Sequence, residues 1–286
     1  LRASSALPRR GSCTLWVGVD ISCIDQSLTP TQDSLNMPYM THATFKAQDT
    51  ILDKVFSNLV RLAIPNCILA GGTALARFYL HHRVSCDLDF FVGGNLSPEK
   101  LSIALGRIGV NLSDVQLESG GVFAHQLHGY ANVDKSIVKI SFVEDVYEGM
   151  WPKKNFGNIV TEEIGGLYHR KLRTISGSGY GKNTKGARQT ARDLFDVYVL
   201  SKEVQPLHEF LNEANQHGAN YPQDAFCANI LTMPWFDLMD EFEGLELLSP
   251  YLGLSLIGDI KPLLVEEVMT IQKLNGIDDE NHPAPN

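Results

Sequence analysis

Residues 68–76 read ILAGGTALA, and residues 83–90 read RVSCDLDF. The apolar run that ends at Ala70 is typical of a buried strand, and Gly71 and Gly72 let the backbone turn tightly and approach a ligand. Thr73 is suited to cap a following helix, whose first N–H groups would attract an anion. The pattern predicts a strand, a phosphate-accepting turn, a helix and a second strand.

Asp87 and Asp89 alternate with apolar residues in the second predicted strand. Residues two apart on a strand point to the same face, so we expect both carboxylates to project together. Two such groups suit a magnesium ion that bridges to nucleotide phosphates. A Gly-Gly turn or an Asp-x-Asp pair alone is usually structural, but the combination favours a nucleotide site. Neither a Walker loop nor a G-x-G-x-x-G fingerprint is present.

Composition sets the broad class. The 286 residues are 44% hydrophobic and 20% charged, which is ordinary for a globular chain of one large or two modest domains. The net charge of −9 argues against a general nucleic-acid binder. A local basic stripe nevertheless suggests a phosphate-bearing ligand, the alternative being a solvated face; its residues are Arg170, Lys171, Arg173, Lys182, Lys185, Arg188 and Arg192.

Cysteine and hydropathy patterns indicate the cellular compartment of the protein. The five cysteines form no C-x-x-C pair, and Cys67 and Cys86 fall in predicted buried strands, which indicates a reducing compartment. No apolar segment is long enough to span a membrane. We therefore expect a cytoplasmic protein without a zinc site, since the histidines also lack metal-binding spacing.

Three segments carry a family resemblance. They are residues 71–75 with Arg83, Ser85, Asp87 and Asp89; residues 167–172, LYHRKL; and residues 191–200, ARDLFDVYVL. In this order they resemble the motifs of the AbiEii/AbiGii-type toxin nucleotidyltransferases, a branch of the polymerase-beta-like (minimal nucleotidyltransferase) superfamily. The resemblance covers about residues 50–202, and its lysine motif is weak when taken alone.

The predicted fold class is α+β, with a small mixed-sheet nucleotidyltransferase domain followed by an α-helical domain that completes the active site. We assign residues 41–155 to the first domain, 156–277 to the second and 278–286 to a disordered tail. Residues 1–40 are expected to be a flexible or mis-started leader. The alternative is that Leu15–Ile21 adds a strand to a sheet edge.

Sequence patterns also predict the individual elements. Helices are expected over residues 49–62, 73–81, 98–108, 185–201, 206–217, 222–232, 234–243 and 261–274, and one more begins at Thr161-Glu162-Glu163 and carries Lys171. Strands are expected over residues 67–70, 86–92, 115–118, 122–127 and 136–143, with a hairpin at Gly120-Gly121.

The resemblance implies a role for each site residue. Asp87 and Asp89 would hold Mg²⁺ or Mn²⁺, and Lys171 and Asp193 would complete the catalytic set. The nucleotide and its phosphates would be bound by Gly71, Gly72, Thr73, Arg83 and Ser85.

Other roles stay open at the level of sequence. Asp193 could order Lys171 or contact the acceptor hydroxyl, and Arg192 and Asp196 are interpreted as structural ion-pair partners. Many superfamily members carry a third carboxylate on a neighbouring strand. Ser141 stands at that place here, which leaves the general base unassigned.

These observations predict a magnesium-dependent nucleotidyltransferase that moves a nucleoside monophosphate from a nucleoside triphosphate to a hydroxyl of RNA, tRNA included, or of protein. By the resemblance it would be the toxin of a bacterial toxin–antitoxin pair, with a separately encoded antitoxin as partner. The alternative is a catalytically inactive nucleotide- or RNA-binding module, which Ser141 favours. An enzyme that modifies a small alcohol would use the same fold.

Overall fold

The computed structural model describes residues 39–118, 124–177 and 188–276, with side chains from residue 43 onward. The residues from Tyr39 onward form one compact unit. Several predicted features lie outside the described residues: the leader, the hairpin at Gly120-Gly121, Lys182 and Lys185 of the basic stripe, and the tail.

A seven-stranded mixed sheet organises the chain, in the order β3-β4-β5-β2-β1-β7-β6. Its strands are β1 (Cys67–Ala70), β2 (Leu88–Val92), β3 (Leu112–Glu118), β4 (Gln126–Val133), β5 (Ser136–Glu144), β6 (Lys153–Phe156) and β7 (Ile159–Glu162). Strand β2 runs antiparallel to β1 and parallel to β5, and β1 runs parallel to β7. The predicted mixed sheet is confirmed.

Helices cover the sheet and form the second half of the chain. They are α1 (Tyr39–Phe56), α2 (Gly71–Leu75), α3 (Pro98–Arg107), α4 (Ile164–Ser176), α5 (Ala191–Glu203), α6 (Leu207–Gln216), α7 (Gln223–Leu231), α8 (Met239–Glu243) and α9 (Lys261–Leu274). Single wider π-helical turns, Ala76–Leu80 and Leu256–Ile260, follow α2 and precede α9. Helix α9 has its predicted bounds, whereas α1 begins earlier than the predicted Asp49 and ends at Phe56.

The two faces of β2 have different environments. Phe90 lies on the inner face, where it stacks on Phe142 with ring centroids 4.6 Å apart and meets Phe56 of α1 at 6.0 Å. Phe91 lies on the opposite face, where the guanidinium of Arg170 from α4 sits 4.3 Å from its ring centroid. Since side chains alternate along a strand, Asp89 shares the face that α4 covers.

Strands β6 and β7 correct the prediction that Thr161 and Glu162 begin a helix. Both residues belong to β7, and α4 begins at Ile164. Leu69 of β1 pairs with Thr161, which is fully buried, so this segment forms a strand of the sheet and not a helix. The predicted domain boundary after residue 155 therefore falls inside β6, while the division into two domains stays a prediction.

The segment before β2 also differs from the prediction. Strand β2 begins at Leu88, so Cys86 and Asp87 precede it, and Cys86 is exposed rather than buried. The reason is that the backbone just before Cys86 is hydrogen-bonded to a distant segment: the Val84 N–H donates to the Glu246 carbonyl over 2.8 Å. Asp87 is consequently held by a loop and not by the sheet.

Thr73 does not cap α2 as predicted. It lies inside the helix, whose N-cap residue is Ala70, and no side chain caps that end. Among the described residues, every helix is too short or too polar to cross a lipid bilayer.

Candidate active site

Asp89 and Gly71 meet where β1 passes into α2. Ala70 pairs with Asp89 across the two strands, which brings the carboxylate against the next residue, Gly71. Gly71 has a φ of +69°, and a Cβ built on it would lie 2.5 Å from Asp89 Oδ2. Both the backbone conformation and the space therefore require glycine at this position.

Asp87 lies close enough to Asp89 to change its titration. Burial raises the pKa of Asp89 above its ordinary value, and the negative charge of Asp87 raises it further. Three cations act in the opposite direction on Asp89, namely Lys171, Arg188 and Arg192. The two carboxylates thus lie close together, and three cations act on Asp89.

Arg188 and Arg192 are the exposed members of these three cations. Arg192 donates from one guanidinium nitrogen to Asp87 Oδ2 over 3.3 Å, and its side chain is 38% exposed. Arg188 is 55% exposed and approaches Asp193 Oδ2 at 3.9 Å. Both can therefore turn toward a ligand that enters from solvent.

The described residues of the basic stripe differ in their exposure to solvent. Arg170, its first member, is buried and donates to Glu162 over 2.7 Å and to Asp145 over 2.9 Å. This arginine joins α4 to the sheet and is not available to a ligand. Of the described part of the stripe, Arg188 and Arg192 are the exposed residues beside the paired carboxylates.

Lys171 is buried between two carboxylates of α5. Its Nζ lies 2.7 Å from Asp193 Oδ1 and 2.6 Å from Asp196 Oδ2. Burial lowers the pKa of Lys171, but the two aspartates outweigh it and raise the pKa above its ordinary value. The contact with Asp193 fits the interpretation that Asp193 orders Lys171.

Thr190 fixes Asp193 at the start of α5. The Thr190 hydroxyl accepts a hydrogen bond from the Asp193 N–H over 3.4 Å and donates to Asp193 Oδ2 over 2.7 Å. Burial raises the pKa of Asp193, but Lys171 and Arg188 outweigh it and hold that pKa below its ordinary value. These two cations therefore favour the ionised form of Asp193.

Asp196 is the centre of a buried network. Its carboxylate accepts two hydrogen bonds from Arg83, at 2.7 and 2.8 Å, and its Oδ1 lies 2.7 Å from His82 Nε2. Burial opposes ionisation, but Arg83 and Lys171 outweigh it, and the pKa of Asp196 falls well below its ordinary value. The structural role expected for Asp196 agrees with this geometry.

Arg83 and Gly72 belong to the same network rather than to an open phosphate site. Arg83 is 5% exposed, and besides Asp196 it donates to the Val84 carbonyl over 3.1 Å. A Cβ on Gly72 would lie 2.3 Å from its guanidinium, so the second glycine makes room for this arginine. Phosphate binding by Arg83 and Gly72 stays a prediction.

Thr73 and Ser85 hold the loop that carries Asp87. The Thr73 hydroxyl bonds to Ser85 Oγ at 2.9 Å and donates to the Asp87 carbonyl oxygen. The Ser85 carbonyl in turn accepts from the side-chain amide of Gln48 over 2.9 Å. These contacts position Asp87, and a direct contact of Thr73 or Ser85 with phosphate stays a prediction.

Ser141 lies next to Asp89 on the adjacent strand. Asp89 pairs with Ser141 in the β2–β5 register, and Ser141 pairs with His128 in the β4–β5 register. Ser141 Oγ is 3.0 Å from His128 Nδ1. Sequence reasoning identified Ser141 but missed His128, because the pairing of β4 with β5 brings the two together.

The donor set fits a divalent cation that takes most of its ligands from a substrate. Among the described residues, no group of three or more histidine, cysteine, aspartate or glutamate side chains could hold a metal ion. Asp87 and Asp89 offer two hard oxygen donors, and magnesium is commonly held by one or two carboxylates together with substrate phosphates and water. The missing Cβ of Gly71 leaves the space that Asp89 Oδ2 occupies.

Comparison with protein families matches residues 59–243 to the family described as Nucleotidyl transferase AbiEii toxin, Type IV TA system. This match spans more than half of the 286 residues. The chain belongs to the AbiEii family. It is thus a member of a nucleotidyltransferase toxin family of type IV toxin–antitoxin systems, and a separately encoded antitoxin is implied by that family.

Solved structures give a weaker likeness. JHP933 from Helicobacter pylori is 16% identical, with a TM-score of 0.48 over 84% of this chain and 99% of that chain. A candidate nucleotidyltransferase from H. pylori is 18% identical, with a TM-score of 0.48 over 85% of this chain and 100% of that chain. Comparison with curated proteins found no match.

The AbiEii-family match includes all the predicted site residues. Gly72 lies against Arg83, Thr73 and Ser85 hold the loop of Asp87, and the other predicted residues fall into two groups. Asp87, Asp89 and Gly71 form the open group, which is accompanied by Arg188 and Arg192. Lys171, Asp193, Asp196, Arg83 and His82 form the buried group. Sequence reasoning left Arg188 out of the site, although its place in the basic stripe was a usable signal.

Proposed function

We propose that this AbiEii-family protein is a magnesium-dependent nucleotidyltransferase that moves a nucleoside monophosphate from a nucleoside triphosphate to a hydroxyl of RNA or of a protein side chain. The observation that carries the proposal is the placement of Asp89 Oδ2 against Gly71, with Asp87 beside it and three cations acting on the pair. A triphosphate needs this combination, because its phosphates must be neutralised from more than one side.

The reaction joins the acceptor oxygen to the α-phosphorus and breaks the bond from that phosphorus to the oxygen of the β-phosphate. The electron pair of the broken bond leaves with pyrophosphate. When bound, magnesium supplies positive charge to the phosphate oxygens. Positioning and charge neutralisation carry most of such catalysis.

The three cations near the paired carboxylates would have different roles. Arg188 and Arg192 are exposed, so they meet an entering triphosphate first. Lys171 is buried and paired with two aspartates, so it would act on the departing pyrophosphate through its charge, from a fixed position and without direct contact. Asp193 would keep Lys171 oriented.

The test uses each α-labelled nucleoside triphosphate with total RNA, with and without magnesium. The wild type is compared with Asp87→Ala and with Asp237→Ala, a control at an exposed aspartate. Label in RNA from the wild type and the control, but not from Asp87→Ala, would support the proposal. Label on a protein band would identify protein as the acceptor class.

The inactive binding module is the alternative, since Ser141 stands where a third carboxylate is common. Isothermal titration of each nucleotide with and without magnesium separates the two. Metal-dependent binding without transfer to any acceptor would favour the module and contradict the enzyme. A gene for a small winged-helix protein immediately upstream would support the toxin–antitoxin role.

A further inference from the structure

A row of polar side chains crosses three strands beside the paired carboxylates. Asp89 of β2, Ser141 of β5 and His128 of β4 occupy matched register positions, so their side chains share one face of the sheet. Gln126 lies two residues before His128 and shares that face. The row leads from the candidate metal ligand toward the outer part of the sheet.

The hydrogen bonds in this row favour one tautomer of His128. His128 Nε2 lies 2.9 Å from Gln126 Oε1, and His128 Nδ1 lies 3.0 Å from Ser141 Oγ. With the Gln126 amide in this orientation, its oxygen can only accept a hydrogen bond, so the contact assigns the proton to His128 Nε2. In the neutral ring, Nδ1 is then an acceptor, and the Ser141 hydroxyl donates to it.

We propose that Ser141 and His128 form a proton relay for nucleotidyl transfer, with Ser141 as the group that touches the acceptor hydroxyl and His128 as the residue that acts through it. This inference rests on the proposed function and assigns the missing proton acceptor. The acceptor hydroxyl gives its proton to Ser141 Oγ as its oxygen bonds to the α-phosphorus. Ser141 gives its own proton to His128 Nδ1, and pyrophosphate leaves with the electron pair.

The surroundings of His128 suit a neutral proton acceptor. Burial lowers the pKa of His128 below its ordinary value of 6.5, so the ring is neutral near pH 7. Three charged groups face it: Glu118 on β3 and Asp89 on β2 favour the protonated ring, and Lys139 on β5 opposes it. Glu118, which is not one of the proposed metal ligands, would stabilise the imidazolium that forms when the proton arrives.

The kinetic test measures kcat and KM for transfer from the labelled nucleotide to RNA, and to water as the second acceptor. General-base catalysis contributes about 100-fold or more, so Ser141→Ala and His128→Gln should each lower kcat about 100-fold and leave the KM for the nucleotide within about twofold. Since the two residues act as one unit, the double variant should lose no more than either single variant. Ser141→Thr keeps the hydroxyl and should retain most of the rate.

The pH profile adds a readout that a structural role would not move. Gln126→Glu places a negative charge against Nε2, which raises the pKa of His128. The acid limb of the rate profile should therefore move to higher pH in Gln126→Glu and disappear in His128→Gln. His208→Gln is the matched control, because His208 is also hydrogen-bonded, to Glu267 on the helical side of the chain.

The tautomer can be read without any assay of activity. Nitrogen-15 NMR of the wild type should show His128 with its proton on Nε2 near pH 7, and a proton on Nδ1 would overturn the relay even if the variants fail to fold. An unchanged rate in Ser141→Ala, or label attached to Ser141 itself, would overturn the relay alone. A wild type that transfers no nucleotide to RNA, protein or water would overturn the proposed function, and the relay with it.

Discussion

Replacing Asp196 with alanine should destabilise the protein strongly. The Asp196 side chain is fully buried and pairs with Arg83 and Lys171 at 2.6–2.8 Å. The substitution leaves both cations buried and without the carboxylate that they share. Removing one partner from a buried ion pair costs about 3–5 kcal/mol, because the other charge stays desolvated.

The magnitude can be checked by urea unfolding and by thermal melting, each followed by circular dichroism. A chain of this size loses roughly 2–4 °C of Tm per kcal/mol, so Asp196→Ala should melt about 10 °C below the wild type. Asp49→Ala is the control, since Asp49 is 60% exposed in its pair with Arg77. Exposed pairs contribute less than about 1 kcal/mol, and equal losses in both variants would refute the reasoning.

The stability that Asp196 contributes should decrease as the pH falls. Asp196 titrates well below 3.8 in the folded protein, so its contribution is present above the unfolded pKa and is lost as the pH falls. Asp196→Asn imitates the protonated acid. The stability gap between the wild type and Asp196→Asn should therefore narrow as the pH falls below about 4. A gap that stays constant between pH 7 and pH 2 would contradict the assigned network.

Three further predictions concern single positions. Gly71→Ala should abolish transfer by displacing Asp89, and it should lower the free energy of unfolding by more than the roughly 1 kcal/mol of backbone strain. Gly94→Ala, at φ +81° with open space around it, should lower the free energy of unfolding by that strain alone. Thermal melting and transfer assays on both variants distinguish the steric clash from the strain. Asp89→Asn should abolish transfer yet melt at or above the wild-type temperature without divalent cations, because burial and Asp87 disfavour the charged carboxylate; a lower Tm would contradict this. Burial and the neighbouring arginines lower the pKa of His169 to about 3. As the pH falls from 6.5 toward 3, His169→Phe should therefore lose less stability than the wild type. Equal losses of Tm in both proteins would exclude a buried neutral ring at His169.

Elements with a clear hydrophobic pattern were predictable from the sequence. The apolar run Cys67–Ala70 is β1 without change, and the periodic segment Lys261–Leu274 is α9. Strand β6 was missed because Lys153, Lys154 and Asn155 are polar and exposed, which reads as a loop. Its signal was the Gly157-Asn158 pair, a two-residue hairpin turn in which Phe156 pairs with Ile159.

The candidate site was predictable where its residues are close in sequence and not where tertiary pairing assembles it. Asp87, Asp89 and Gly71 stand out because a short motif contains them. Arg83 and Asp196 are 113 residues apart, and their pairing depends on how α5 packs beside the segment after α2. The contact of His128 with Ser141 likewise depends on strand register, which a single sequence leaves open.

The electrostatics separate the acids that build the site from the acids that would react. Asp193 and Asp196 each have a buried cation within 2.7 Å, and their pKa values are lowered. Asp89 has a raised pKa, because burial and the charge of Asp87 outweigh the charges of Lys171, Arg188 and Arg192. A half-buried carboxylate whose ionised form is disfavoured by its surroundings is stabilised when a ligand supplies positive charge. The fold satisfies its structural acids internally and leaves this one to be neutralised from outside, which is the arrangement that a cation-bound nucleotide would complete.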